Sequence, residues 1–216
     1  MAGLNYAAPV SIARDERAAL AAVLHAAGPG APTLCEGWTT HDLAAHLWLR
    51  EHDPRVVMGL VLPEVAERQL ATVKRERPYP ELVEAFAAGP SRLSPFAIDA
   101  VDELTNAAEF FVHHEDVRRG AGTTTPRELD DAVQAWAWPV ATALAGRVLH
   151  RAPVSVVLER RPGGDQRRYG RGDRVVTVLG APSELLLLAF GRARAAELEW
   201  VGDADSVTAL REFLKA

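Results

Sequence analysis

The chain of 216 residues holds a single cysteine, Cys35. One sulfur excludes an intramolecular disulfide framework and any zinc site built from several cysteines. Long apolar runs are also missing. The longest, such as Leu185–Phe190, fall far short of the roughly 20 residues that cross a bilayer. No excess of positive charge is present: the formal net charge is −5, which argues against bulk nucleic-acid binding. The N-terminus lacks a basic segment followed by an apolar stretch, so no signal peptide is read there. The expectation is a cytoplasmic protein with no membrane and no nucleic-acid partner. Lysine is scarce, at two of 24 basic residues. Arginine presents a planar fork to carboxylates and phosphates, although a GC-rich genome is the plainer account of an excess of Ala and Arg.

What is present reads as two regions. Residues 1–149 carry a net charge of −7 and residues 150–216 a net charge of +2. In the first region apolar residues recur at helical spacing. Ile12, Leu20, Val23 and Leu24 mark a helix between Ser11 and the Gly-Pro-Gly turn at 28–30. A second starts near Thr39, where Thr39-x-x-Asp42 resembles a capping box, and Pro54 limits it. Pro63 opens a third, through Glu76. A short helix follows Pro78 and Pro80 and ends at Gly89. A long helix runs from about Ile98 to Arg119, with Gly120 just past it. Pro126 marks the first turn of a helix reaching His150. After His150 the pattern turns to β: Val154–Leu158, Val175–Val178 and Glu197–Val201 read as strands. Arg160, Arg161, Arg167, Arg168, Arg171 and Arg174 crowd a hairpin in the turn-rich stretch between the first two strands. Pro182–Gly191 and Asp203–Leu214 read as helices. The expected fold is mainly α: a helical bundle over residues 1–150, then a small α+β domain over 151–216.

Among the seven histidines, placement selects three candidates. Glu109 and His113 stand four residues apart, hence on one face of the long helix. His46 lies on another helix beside apolar Leu43 and Leu47. Bundles build metal sites from facing helices in this way, and a His2Glu set leaves one position open on zinc. Asp116, three residues past His113, suits a carboxylate that accepts the second ring N–H of a ligating histidine. Asp42 suits either that role toward His46 or its helix N-terminus. A hydrogen-bonded buried network is the alternative for the whole set. His114 and Glu115 read as lateral or surface residues, Trp38 as a hydrophobic anchor, and Cys35 as a small buried hydrophobe or a thiol open to mixed-disulfide formation.

Leu34-Cys35-Glu36-Gly37-Trp38-Thr39-Thr40-His41-Asp42-Leu43-Ala44-Ala45-His46-Leu47 resembles the signature of the DinB-like superfamily. The branch it resembles is that of the mycothiol-dependent maleylpyruvate isomerases and their actinobacterial relatives. Glu109-x3-His113-x2-Asp116-Val117 is similar to that branch's second motif. Gly180-Ala181-Pro182-Ser183-Glu184, Phe190-Gly191-Arg192 and Val201-Gly202-Asp203-Ala204 are similar to its C-terminal domain. Ala13-Arg14-Asp15-Glu16-Arg17 and the run from Phe110 to Arg119 resemble an uncharacterised metal-binding subgroup.

The resemblance implies a four-helix DinB-like bundle holding a divalent metal through His46, Glu109 and His113. Zinc is the expected ion, with Ni2+, Fe2+ or Mn2+ as alternatives. It implies mycothiol as cosubstrate, its thiolate held by the metal and adding to a small electrophilic substrate in a transferase or isomerase reaction. Arg192 is the catalytic candidate beside a motif, as a group for an anionic substrate. A homodimer is compatible with the family. The alternative is a non-catalytic metal- or ligand-binding stress protein with the same bundle.

Overall fold

The computed structural model describes residues 11–53, 63–90 and 99–216. Pro54 and Ile98, expected to stop and start helices, lie outside the described residues. In chain order the elements are α1 (Ile12–Ala27), α2 (Thr40–His52), α3 (Pro63–Glu76), α4 (Tyr79–Ala88), α5 (Asp99–Gly120) and α6 (Asp131–Leu149), then β1 (Ser155–Arg160), β2 (Gln166–Tyr169), β3 (Val175–Gly180), α7 (Pro182–Ala189), β4 (Glu199–Val201) and α8 (Ala204–Leu214). The protein is mainly helical, with one small four-stranded sheet.

The chain divides into two compact units, Met1–Ala121 and Gly122–Ala216. The division falls at 121/122, whereas the change from helical to β patterning suggested one near 150. Helix α6 accounts for the difference, because it packs along α7 and against β1 and β2. The composition changes at the first strand, but that strand needs α6 to cover it.

In the first unit α1 packs on α5 and α4, and α2 on α4 and α3. Ser11 caps α1 by accepting from Arg14 N at 3.3 Å. Thr39 opens α2: its backbone N–H and its hydroxyl both donate to Asp42 Oδ2, at 2.9 and 2.7 Å. Asp42 therefore serves the helix N-terminus, the second of its two expected roles. Leu20, Leu24, Leu43, Leu47, Leu82, Phe86 and Phe110 are fully buried in one core. Burying each such side chain stabilises by about 1.5–3 kcal/mol. That core also contains charge. The Arg17 guanidinium lies over the rings of Phe86 and Phe110 at 5.0 and 4.7 Å and pairs with buried Glu51. It donates to the Phe86 carbonyl at 2.9 Å.

In the second unit the strand order is β2-β1-β3-β4. β1 and β2 form an antiparallel hairpin, β1 and β3 run parallel, and β3 pairs antiparallel with β4. The hairpin confirms the turn-rich arginine stretch as strand–turn–strand, but β2 itself, Gln166–Tyr169, was not expected. It is polar and largely exposed, so apolar alternation cannot reveal it. Helix α6 starts at Asp131, five residues after Pro126, because Asp130 is the N-cap: its side chain accepts from Val133 N at 2.8 Å. Gln134 then clasps the start of α7, accepting from Ser183 N and donating to Ser183 Oγ, each at 3.1 Å. Leu185, Leu186 and Leu187 of α7 are fully buried.

Candidate metal centre

Helix α5 supplies most of the polar side chains at the centre of the first unit. From Asn106 to Arg119 it buries Asn106, His113, His114, Glu115, Asp116 and Arg119 as well as Phe110, Phe111 and Val112. This overturns the reading of His114 and Glu115 as surface residues. His114 Nδ1 lies 3.1 Å from Glu16 Oε2 on α1, and Glu115 accepts from Arg118 and Arg119 at 2.8 and 2.6 Å. Charged residues buried on a helix need partners in place of solvent.

His46 on α2 and Glu109 and His113 on α5 come together as the sequence pattern proposed. Each offers a ligand atom, and the three atoms lie within 4.8 Å of one another. The rings of His46 and His113 meet edge to face, centroids 5.3 Å apart. The Trp38 ring lies 5.2 Å from that of His46, and is partly buried against the core. It thus anchors the start of α2 and also walls the His46 ring.

Each of the two α5 residues is held by a further group. His113 Nδ1 lies 2.9 Å from Asp116 Oδ2, which is fully buried. That bond places the ring hydrogen on Nδ1 and leaves Nε2 turned toward Glu109. Nε2 stands 3.1 Å from Glu109 Oε2, yet it is buried and makes no hydrogen bond with satisfactory geometry. Glu109 Oε1 accepts from Arg50 Nη1 at 3.2 Å, and Arg50 Nη2 donates to Asn106 Oδ1 at 3.1 Å. Glu109 thus keeps one oxygen on Arg50 and turns the other to the histidines.

Cys35 reaches this cluster from the loop between α1 and α2. Its Sγ donates to Asp116 Oδ2 at 3.2 Å and the residue is only half-buried, so it is not simply a small buried hydrophobe. The loop is tied to α5 by Leu34 N donating to Asp116 O at 3.0 Å. The approach needs Gly120, where a Cβ would come within 2.4 Å of Thr33 Cα and 2.6 Å of Pro32 O. Gly120, expected just beyond the helix, is its last residue.

The electrostatics follow the contacts. Burial, then the charge of His113, push His46 down to about 3, so its ring is neutral. His113 moves the other way, well above the usual histidine range: burial opposes its charge, but Asp116, Cys35 and Glu109 outweigh it. Glu109 is held down to about 2 against burial by the adjacent His113 ring and the Arg50 charge. Without a metal the centre is therefore an imidazolium–carboxylate pair beside a neutral imidazole. A dication held there would supply the positive charge that the His113 proton otherwise provides. The buried, unbonded Nε2 and the two-nitrogen, one-carboxylate donor set fit a zinc-like ion.

Arg192 belongs to the second unit, just past the end of α7. It is partly buried and donates to the Phe190 carbonyl at 2.6 Å.

Two solved structures share this fold. The crystal structure of a mycothiol-dependent maleylpyruvate isomerase aligns with a TM-score of 0.58 at 16% identity, over 89% of this chain and 92% of that one. A histidine-to-alanine mutant of a mycothiol-dependent maleylpyruvate isomerase aligns with a TM-score of 0.56 at 16% identity, with the same coverage. No protein-family profile matches the chain, and no curated protein matches it in sequence.

Proposed function

We propose that this protein is a metal-dependent enzyme, a transferase or isomerase that uses a small-molecule thiol of the mycothiol type on a small electrophilic substrate. The observation that carries the reading is the convergence of ligand atoms from His46, Glu109 and His113 within 4.8 Å on two facing helices. The shared fold with the mycothiol-dependent isomerase supports it. In this reading the first unit is the DinB-like bundle and a zinc-like divalent ion is the cofactor.

A bound metal would supply Lewis acidity, lowering the pKa of a thiol docked at its open position so that the thiolate exists at neutral pH. The chain's own residues prepare that place. Asp116 fixes the His113 ring and its tautomer through the 2.9 Å bond to Nδ1. Arg50 holds Glu109 by one oxygen, leaving one for the cation. Trp38 covers the His46 ring. Three protein donors leave a fourth position for sulfur. Arg192 is the proposed anion-binding residue of the second unit.

Metal analysis of the purified protein tests the ligand set. About one equivalent of a divalent ion is expected, falling at least tenfold in occupancy in folded His46→Ala and His113→Ala variants. Undiminished metal in those variants refutes it. Calorimetry with mycothiol on the metal-loaded protein tests the chemistry. Absence of binding at millimolar thiol favours the alternative, a non-catalytic metal- or ligand-binding protein.

A further inference from the structure

We propose that Cys35, Asp116 and His113 form a second cation position on the opposite side of the His113 ring, suited to a thiophilic divalent ion such as Cd2+. The thiol sulfur of Cys35, a carboxylate oxygen of Asp116 and a ring nitrogen of His113 lie within 4.8 Å of one another. The donor set is S, O and N. It differs from the N2O set of His46, Glu109 and His113 in the one respect that selects metals: thiolate sulfur favours soft ions over hard ones. The only sulfur-bearing ligand in this chain with thiolate chemistry therefore stands where a soft ion would find an imidazole and a buried carboxylate already arranged.

Geometry accommodates the ion with small movements. Asp116 Oδ2 lies 2.9 Å from His113 Nδ1 and 3.2 Å from Cys35 Sγ. Zinc-like bond lengths in a tetrahedron separate N and O ligands by about 3.3 Å, and S from either by about 3.5 Å. The two separations from Asp116 need to open by only a few tenths of an ångström for bonds of zinc-like length, and somewhat further for the larger Cd2+; Sγ and the ring nitrogen already lie within 4.8 Å. Cys35 sits on a half-buried loop, which gives the ion an approach. Asp116 is fully buried, so its carboxylate is desolvated in advance. The hydrogens that now converge on Asp116 Oδ2, from Sγ and Nδ1, are those a cation displaces. The thiol proton and the Nδ1 proton leave to solvent, and the ring keeps the proton on Nε2.

The proton kept on Nε2 makes the two positions compete. A neutral imidazole coordinates through one nitrogen and carries its proton on the other. With a cation on Nδ1, the proton occupies Nε2, the nitrogen that faces Glu109 and His46. The competition rests on the ligand reading given under Proposed function; the Cys35 position itself does not.

Titration of the metal-free full-length protein with Cd2+ reads the new position through the ultraviolet charge-transfer absorption of a cadmium–thiolate bond. The band is expected to saturate near one equivalent, to disappear in Cys35→Ser and to survive in His46→Ala. In Asp116→Asn its midpoint should move at least tenfold to higher Cd2+. Preloading the protein with Zn2+ should also move the midpoint upward. No band in the wild type overturns the proposal. So does a midpoint that Asp116→Asn leaves unchanged, since that identifies a lone thiol binding without the cluster. Loss of the band in a folded His46→Ala variant overturns it too, because it makes Cys35 part of the other position. Failure of the His46/Glu109/His113 reading is distinguishable, as it appears in zinc content of the variants and not in the cadmium band.

Discussion

Replacing Asp116 by Asn isolates the contribution of one carboxylate to the centre. The side chain is fully buried and accepts from His113 Nδ1 at 2.9 Å, so the isosteric amide keeps the shape and removes the charge. A hydrogen bond to a charged group contributes about 1.5–3 kcal/mol and a neutral one about 0.5–1.5. The difference of about 1–1.5 kcal/mol corresponds to about tenfold in metal affinity, at the lower end of the 10–100-fold that such orienting partners typically supply. A second effect opposes it. Asp116 is the strongest of the groups holding His113 above the ordinary histidine range, so the wild-type ring also holds a competing proton more tightly. At high pH, where the ring is neutral in both proteins, the variant should show the full tenfold loss. As pH falls, the wild type loses affinity first and the gap narrows. Zinc affinity measured by chelator competition across pH, with circular dichroism to establish folding, follows both limbs. A folded variant within twofold of wild type at the alkaline end, or a gap that widens toward acid, refutes the reasoning.

The two histidines also set opposite pH limbs for the stability of the metal-free protein. His46, lowered to about 3, contributes fully above 6.5 and less as pH falls toward 3, because the unfolded chain takes up a proton that the folded one refuses. His113, raised, contributes below 6.5 and less as pH rises through its folded value. Urea midpoints should therefore peak near pH 6.5, with His46→Gln flattening the acid limb and His113→Gln the alkaline one; parallel curves for all three proteins contradict this. Arg50→Met removes a partner from both Glu109 and Asn106 and should cost about 1–3 kcal/mol in denaturant unfolding; no change means the guanidinium is dispensable to the fold. Phe86→Ala opens the core beside Phe110, whose ring meets it edge-on at 5.1 Å, and should cost about 3–5 kcal/mol. A loss below 1 kcal/mol would show that the core collapses into the space.

The helices were the legible part of the fold. Pro63 and Glu76 bound α3 where the punctuation placed them, because proline and capping chemistry act within a few residues. Position 126 misled because proline fits a first turn but is also at home in the loop before one, and Asp130 makes the stronger cap. In the site, the spacing of Glu109, His113 and Asp116 was readable, since helical periodicity alone determines which of them share a face. His46 was singled out by its apolar neighbours Leu43 and Leu47, and the motif then joined it to the other two. The bond between Cys35 and Asp116 was not readable: 81 residues separate them, and a loop brings them together, not a periodic element. Arg50 drew no functional expectation from the sequence. Its grip on Glu109 spans 59 residues and depends on how two helices face each other.

Gly120 bears on any effort to make this protein more robust. Helical glycines are the usual first targets for replacement, since alanine gains roughly 0.5–1 kcal/mol at such positions. Here the added methyl would meet the backbone of Thr33 and Pro32, which cannot step aside like the tip of a side chain. The substitution would push away the strip of chain that delivers Cys35 to Asp116, while leaving the helix itself better formed. A screen scored on helicity or on melting of α5 would rank Gly120→Ala as an improvement, and only a readout at the sulfur would expose the damage.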